Sequence, residues 1–244
     1  MKKETDGIKE KTAEEISERL KKIGDAPKAR LLQGFFKTGA GQYGEGDLFL
    51  GIQVPMIRKL TKEYCPLPFP ELLKLLHSSF HEARLLALLI MVRAYQKGDD
   101  LIREKIYRLY LKNTRHINNW DLVDLSADPI VGAHLWNRNR DILRTLASSK
   151  LLWDRRIAIM ATFHFIKKGE YSETLQIARL LLRDPEDLIH KAVGWMLREI
   201  GKRDPKTEES FLKKHYRIMP RTMLRYAIER FPESLRQGYL KGEK

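Results

Sequence analysis

The segment Asn119-Trp-Asp-Leu-Val-Asp124 sets an indole and a carboxylate four residues apart. On a helix both project from one face, one turn apart. An aromatic ring beside a carboxylate stabilises a developing cation, through the ring quadrupole and through direct Coulomb attraction. The same residues fit a structural reading as readily, with Asn119 or Asp121 capping the helix and Trp120 in the core. Other constellations are poorer. Gly39-Ala-Gly-Gln-Tyr-Gly44 matches G-x-G-x-x-G in form, but that fingerprint has meaning only between a strand and a helix. Here a helix precedes it, and Glu45 and Asp47 would repel a pyrophosphate, so an exposed loop is expected. The seven histidines include no H-x-x-x-H pair on one helix beside an acid. His77 and His81 are separated by the breaking run Ser78-Ser79-Phe80, and His164, between Thr162-Phe163 and Phe165, reads as a buried or half-buried side chain. The single Cys65 excludes an internal disulfide and a cysteine metal cluster. No metal and no cofactor are expected.

The elements that must position Trp120 and Asp124 are helices. Strand signals are nearly absent, and apolar residues recur with helical period between short breaks. Thr12 precedes Ala13 to Ile23, with Glu15 three residues on, a capping-box pattern. A helix over about 28–37 runs into the glycine loop, and Val54-Pro55 opens another, proline being tolerated in a first turn. Further helices are predicted near 70–77, 81–97, 100–115, 120–135, 140–149, 153–168, 172–183, 187–202, 207–216 and 220–231. No long linker divides the chain. A single domain over 1–244 is expected, with residues 1–10 disordered.

Four of these helices carry similar runs: Glu82-Ala-Arg-Leu-Leu-Ala-Leu-Leu, Arg155-Arg-Ile-Ala-Ile-Met-Ala, His190-Lys-Ala-Val-Gly-Trp-Met and Leu224-Arg-Tyr-Ala-Ile-Glu-Arg. Aligned on Arg84, Arg156, Lys191 and Arg225, they are separated by 72, 35 and 34 residues. A period near 35 with two helices per unit marks an all-α solenoid of HEAT-like repeats. One helix of each pair would line a concave face, where a basic residue per repeat forms a ladder suited to a phosphate backbone. The alternative for each residue is a helix start or a surface ion pair. The missing rung falls near position 120.

Composition points the same way. Lys and Arg number 46 against 32 Asp and Glu, a formal charge of +14 with a pI near 9.8. Such a field draws polyanions, and nucleic acid is the commonest large one. An acidic membrane surface competes, but neither a basic amphipathic helix nor a lipidation signal stands out. The apolar run LLALLIMV at 85–92 is too short to span a bilayer. The segment MKKETDGIKEKTAEE lacks the apolar core of a signal peptide, so a cytoplasmic protein is expected.

Phe49-Leu-Gly-Ile-Gln-Val-Pro-Met-Ile-Arg58, Asn119-Trp-Asp-Leu-Val-Asp124, Trp153-Asp-Arg-Arg156 and Ile189-His-Lys-Ala-Val-Gly-Trp-Met-Leu-Arg-Glu199 resemble four landmarks of the AlkD-type DNA alkylation-repair glycosylases. They stand in that family's order and cover about residues 30–230. The resemblance implies a HEAT-like solenoid. It implies that Trp120 packs on the deoxyribose at the lesion, that Asp124 stabilises the sugar cation and positions water, and that Arg156 holds the nearby backbone. Trp195 would flank the same sugar. Lys191 and Arg198 would contact phosphates, as would the ladder residues Arg84 and Arg225. The family's first tryptophan is Asn119 here. The implied activity is that of a monofunctional glycosylase, releasing cationic N3- or N7-alkylated purines from double-stranded DNA without a deep base pocket. Its implied partner is duplex DNA alone, with the protein a monomer and no membrane or cofactor involved. The alternatives are a non-catalytic HEAT-repeat protein that binds DNA or senses damage, and a scaffold whose charge serves solubility.

Overall fold

A computed structural model describes residues 11–244, whose regular elements are all helices apart from one isolated bridge between Leu48 and Phe80. The expectation for residues 1–10 lies outside the described residues. The chain divides into two compact units, Met1–Lys97 and Gly98–Lys244.

The first unit contains α1 (Ala13–Ile23), α2 (Ala26–Phe35), α3 (Val54–Tyr64), α4 (Phe69–Leu76) and α5 (His81–Lys97). Thr12 caps α1, its side chain accepting from the Glu15 amide at 3.2 Å. Helix α5 is packed by α1, α3 and α4, and Ala83 through Met91 are all buried. A helix covered on so many sides carries apolar residues around its whole circumference, as this one does. Its first turn also holds the preceding loop. Buried Glu82 accepts from the amides of Leu50, Gly51 and Ile52 at 2.8–3.2 Å. The glycine loop closes on itself, with the Gly41 amide donating to Glu45 at 2.9 Å.

The second unit contains α6 (Asp100–Lys112), α7 (Trp120–Ser126), α8 (Ala133–Leu135), α9 (Asp141–Ala147), α10 (Leu152–Ala161), α11 (Phe163–Lys167), α12 (Ser172–Leu180), α13 (Asp187–Gly201), α14 (Pro205–His215), α15 (Arg221–Ala227) and α16 (Glu233–Lys241). Here α7, α10, α13 and α15 pack each against the next, while α9 packs on α12 and α10, and α13 is flanked by α12 and α14. These are stacked helical pairs, α9 with α10 and α12 with α13, followed by α14 and α15, which both pack on α13. The architecture is an all-α helical repeat.

Two expected helices are interrupted. The one predicted over 120–135 gives way at Ala127–Gly132 to a π-helical stretch. Pro129 has no amide hydrogen to donate to an α-helical ladder, and the wider turn accommodates it. Gly132 in that stretch meets the end of α10: a Cβ there would lie 2.1 Å from the Ala161 carbonyl oxygen. Gly132→Ala should therefore lower stability by about 1–3 kcal/mol, read as a drop in urea midpoint at unchanged slope. The helix predicted over 153–168 breaks at Thr162, whose hydroxyl donates to the Ile159 carbonyl at 2.6 Å. A close approach also joins α13 to α15, where a Cβ on Gly194 would sit 2.4 Å from the Met223 carbonyl oxygen.

Candidate active site

Asn119 caps α7, its side-chain oxygen accepting from the Trp120 amide at 2.8 Å. The capping role thus falls to Asn119, and Trp120 and Asp124 both lie on the half-buried side of the helix rather than in the core. Beneath them the fully buried Tyr110 hydroxyl of α6 is 2.9 Å from Ser126 Oγ, which in turn donates to the Leu122 carbonyl at 2.5 Å. This ties the C-terminal end of α7 to α6.

Asp124 faces α10. Arg156 Nε donates to Asp124 Oδ1 at 2.9 Å and Arg156 Nη2 to Oδ2 at 2.8 Å, a two-pronged ion pair. Both partners are largely covered, the side chains being 6% and 14% exposed for Arg156 and Asp124. Arg156 Nη1 donates to the Leu188 carbonyl at 2.5 Å, anchoring the guanidinium to the first turn of α13. Groups of α7, α10 and α13 therefore meet around one ion pair. Burial raises the Asp124 pKa above the usual carboxylate range, while the charge and hydrogen bonds of Arg156 pull it down and nearby Asp121 adds to the rise. Arg156 Nε, Nη1 and Nη2 thus each donate inside the protein, where they hold the Asp124 carboxylate in place.

Trp195 is half-buried on α13, its indole N–H donating to Glu199 at 3.3 Å and its ring 6.2 Å from that of Phe163. Lys191 is 40% exposed and paired with Asp187 at 2.7 Å. Arg198 is more covered and paired with Glu229. Arg225 is exposed on α15.

Arg84 stands apart. It is 4% exposed, with Asp47 at 2.7 Å and the Ser78 and Ser79 carbonyls at 2.9 and 3.2 Å from its Nη1. Its charge is held inside the first unit, which removes it as an exposed rung of the ladder. The same clasp recurs one residue before Arg156. Arg155 Nη1 donates to the Ser149 and Lys150 carbonyls at 3.0 and 3.1 Å, and its Nε to Asp184 at 2.6 Å. In the next repeat His190 Nε2 lies 2.5 Å from the Asp184 carbonyl oxygen, again six residues back. The structural equivalents are therefore Arg84, Arg155 and His190, not Arg84, Arg156 and Lys191. At that period Trp120 occupies the corresponding place in the remaining repeat, 35 residues before Arg155. Arg156 is free of the clasp and turns to Asp124.

Sequence reasoning missed the Leu188 carbonyl, the Tyr110–Ser126 support and Phe163. None carries a local signature. A carbonyl has no side-chain letter, and Tyr110 and Phe163 look like any core aromatic.

With this geometry in hand, the chain can be set beside known proteins. The sequence profile of the family described as DNA alkylation repair enzyme matches residues 16–231. The chain belongs to that family. Its repair role is thus in DNA alkylation damage, and the four ordered landmarks fall within the matched span. A comparison with the curated proteins finds no significant match. Among solved structures, a predicted DNA alkylation repair enzyme from Enterococcus faecalis is similar, with a TM-score of 0.67 at 18% identity. The likeness covers 86% of this chain and 97% of that one, and at such identity it speaks for the shared helical-repeat fold. No helix among the described residues is long and apolar enough to cross a membrane.

Proposed function

We propose that this family member is a monofunctional DNA glycosylase that hydrolyses the N-glycosidic bond of cationic N3- or N7-alkylated purines in duplex DNA. The observation that carries the reading is the Asp124–Arg156 pair one helical turn from a half-buried Trp120.

An alkylated purine already bears a positive charge. When the C1′–N9 bond breaks, its electron pair goes to the base, which leaves neutral and needs no acid to protonate it. What remains is an oxocarbenium-like sugar. One carboxylate then suffices, where ordinary glycoside hydrolysis uses two. Asp124 stabilises the cation by its charge. Each carboxylate oxygen accepts one bond from Arg156 and keeps a lone pair for a water. That water adds to C1′ and gives up its proton, leaving an abasic site. Arg156 acts through Asp124, since its positive charge and hydrogen bonds oppose the rise that burial causes. Trp120 packs its face on the sugar and adds quadrupole stabilisation, with Trp195 on the far side. Lys191, 40% exposed beside Asp187, and the exposed Arg225 would meet phosphates. No base need leave the stack for a deep pocket.

Product analysis tests this. Methylated duplex incubated with the protein should yield free 7-methylguanine and a strand that breaks only on alkali treatment. Direct strand cleavage would instead mean a lysine Schiff base, and retention of every base would favour the non-catalytic binder. Trp120→Ala should slow release by about tenfold, the scale of one cation–π contact, and should weaken binding to duplex carrying an abasic analogue.

A further inference from the structure

Helices α12 and α14 enclose a cleft of about 300 Å³ that none of the residues above lines. Its walls carry Arg179, Lys214 and His215, with Ser210, Gln176 and the ring of Phe211. No carboxylate contributes to the lining. Several other cations of the second unit are neutralised at short range: Arg140 by Glu170, Arg155 by Asp184, Arg198 by Glu229, and Lys202 and Arg203 by Glu199. Even Lys213, next to Lys214, pairs with Glu209 at 3.0 Å. Arg179 and Lys214 form no ion pair among the described residues. The three basic groups converge: burial first, then the charges of Arg179 and Lys214, hold the His215 pKa below its usual value.

The remaining walls are also selective. Gln176 Oε1 accepts from Arg144 at 2.7 Å, which leaves the amide nitrogen as the donor available to a ligand. Ser210 offers a hydroxyl. Phe211 and His215 both line the cleft, with ring centroids 4.6 Å apart and planes inclined at 53°. Two cations with no carboxylate beside them favour an anion, and aromatic rings beside neutral donors suit a planar heterocycle.

We propose that the α12–α14 cleft binds a nucleotide phosphate, with Arg179 and Lys214 on the phosphoryl oxygens and the base against Phe211 and His215. The site is distinct from Asp124, whose neighbours lie on α7, α10 and α13. The same chemistry has two sources, a free mononucleotide or one unit of a nucleic-acid strand.

Calorimetric titration of the full chain with deoxyadenosine monophosphate, deoxyadenosine, inorganic phosphate and a single-stranded oligonucleotide tests it. The monophosphate should bind saturably, at least about tenfold tighter than the nucleoside or phosphate alone. The double variant Arg179→Ala, Lys214→Ala should lose about tenfold or more of that affinity, at an unchanged melting temperature because both side chains are exposed. Ser210→Glu, one exposed change adding negative charge to the cleft, should do the same. An oligonucleotide that displaces the monophosphate and loses affinity in both variants identifies a strand as the source; one that does neither identifies the free nucleotide. Absence of saturable binding, binding equal in wild type and variants, or phosphate binding as tightly as the nucleotide would each overturn the proposal.

Discussion

Replacing Arg156 with alanine is expected to cost about 3–5 kcal/mol of folding stability, the scale for removing one partner of a buried ion pair. The guanidinium is 6% exposed and touches both oxygens of Asp124 and the Leu188 carbonyl. Its loss leaves a covered carboxylate without its counter-charge and three helices without their common tie. The deficit depends on pH, with a definite sign. Burial already raises the Asp124 pKa, and Arg156 is what lowers it. Without Arg156 the native carboxyl holds its proton to higher pH than the unfolded one does. Across that window the folded state binds more protons, so stability falls as pH rises. The variant should be least impaired in mild acid and most impaired at neutral pH and above. Activity follows the same shift, because only the ionised carboxylate stabilises a cation. The acid limb of the pH–rate profile should move upward in Arg156→Ala. Arg156→Lys should fall between, since an ammonium supplies charge but not the two-pronged geometry. Denaturant midpoints and single-turnover rates across pH check both halves.

Asp124→Asn should reduce base release about 10²–10³-fold, or roughly 3–4 kcal/mol in the barrier, as for removal of one preorganised electrostatic group. Asparagine keeps the shape and one acceptor toward Arg156 but removes the charge. It therefore separates chemistry from architecture better than alanine does. Arg156 is left covered and without its counter-charge, so the folded fraction must be measured alongside the rate. Affinity for DNA should hold or rise, because a negative charge facing a phosphate backbone is gone. A parallel loss of binding and rate would point to a structural role for Asp124.

What the sequence made legible follows from the range of each interaction. The Thr12 cap acts over three residues and is readable directly. So are the α1 boundaries and the helical-repeat period, because periodicity is local and recurs. The break in the pattern near Trp120 was also visible, and it coincides with the candidate site. The pairing of Asp124 with Arg156 spans 32 residues and leaves no local trace. The adjacent arginines 155 and 156 explain the misplaced ladder. Spacing alone cannot say which of two neighbours reaches back to the previous loop and which faces the next repeat. Arg84 looked like a phosphate contact for the same reason, since the burial of a long basic side chain depends on Asp47 and two carbonyls. The π-helical stretch had its cue in Pro129, but the pattern of apolar residues runs through it. Helix α16 was not anticipated: Gly238 interrupts its propensity, and only Gly238 and Tyr239 are buried along it.

The central claim is that Asp124 stabilises a sugar cation formed as an alkylated purine leaves. Single-turnover release of 7-methylguanine from methylated duplex DNA, by the wild-type chain and by folded Asp124→Asn side by side, tests it most directly. The account predicts release by the wild type and a rate lower by about two to three orders of magnitude in the variant, with DNA affinity retained. Equal rates from the two proteins, or no release by either, would contradict it.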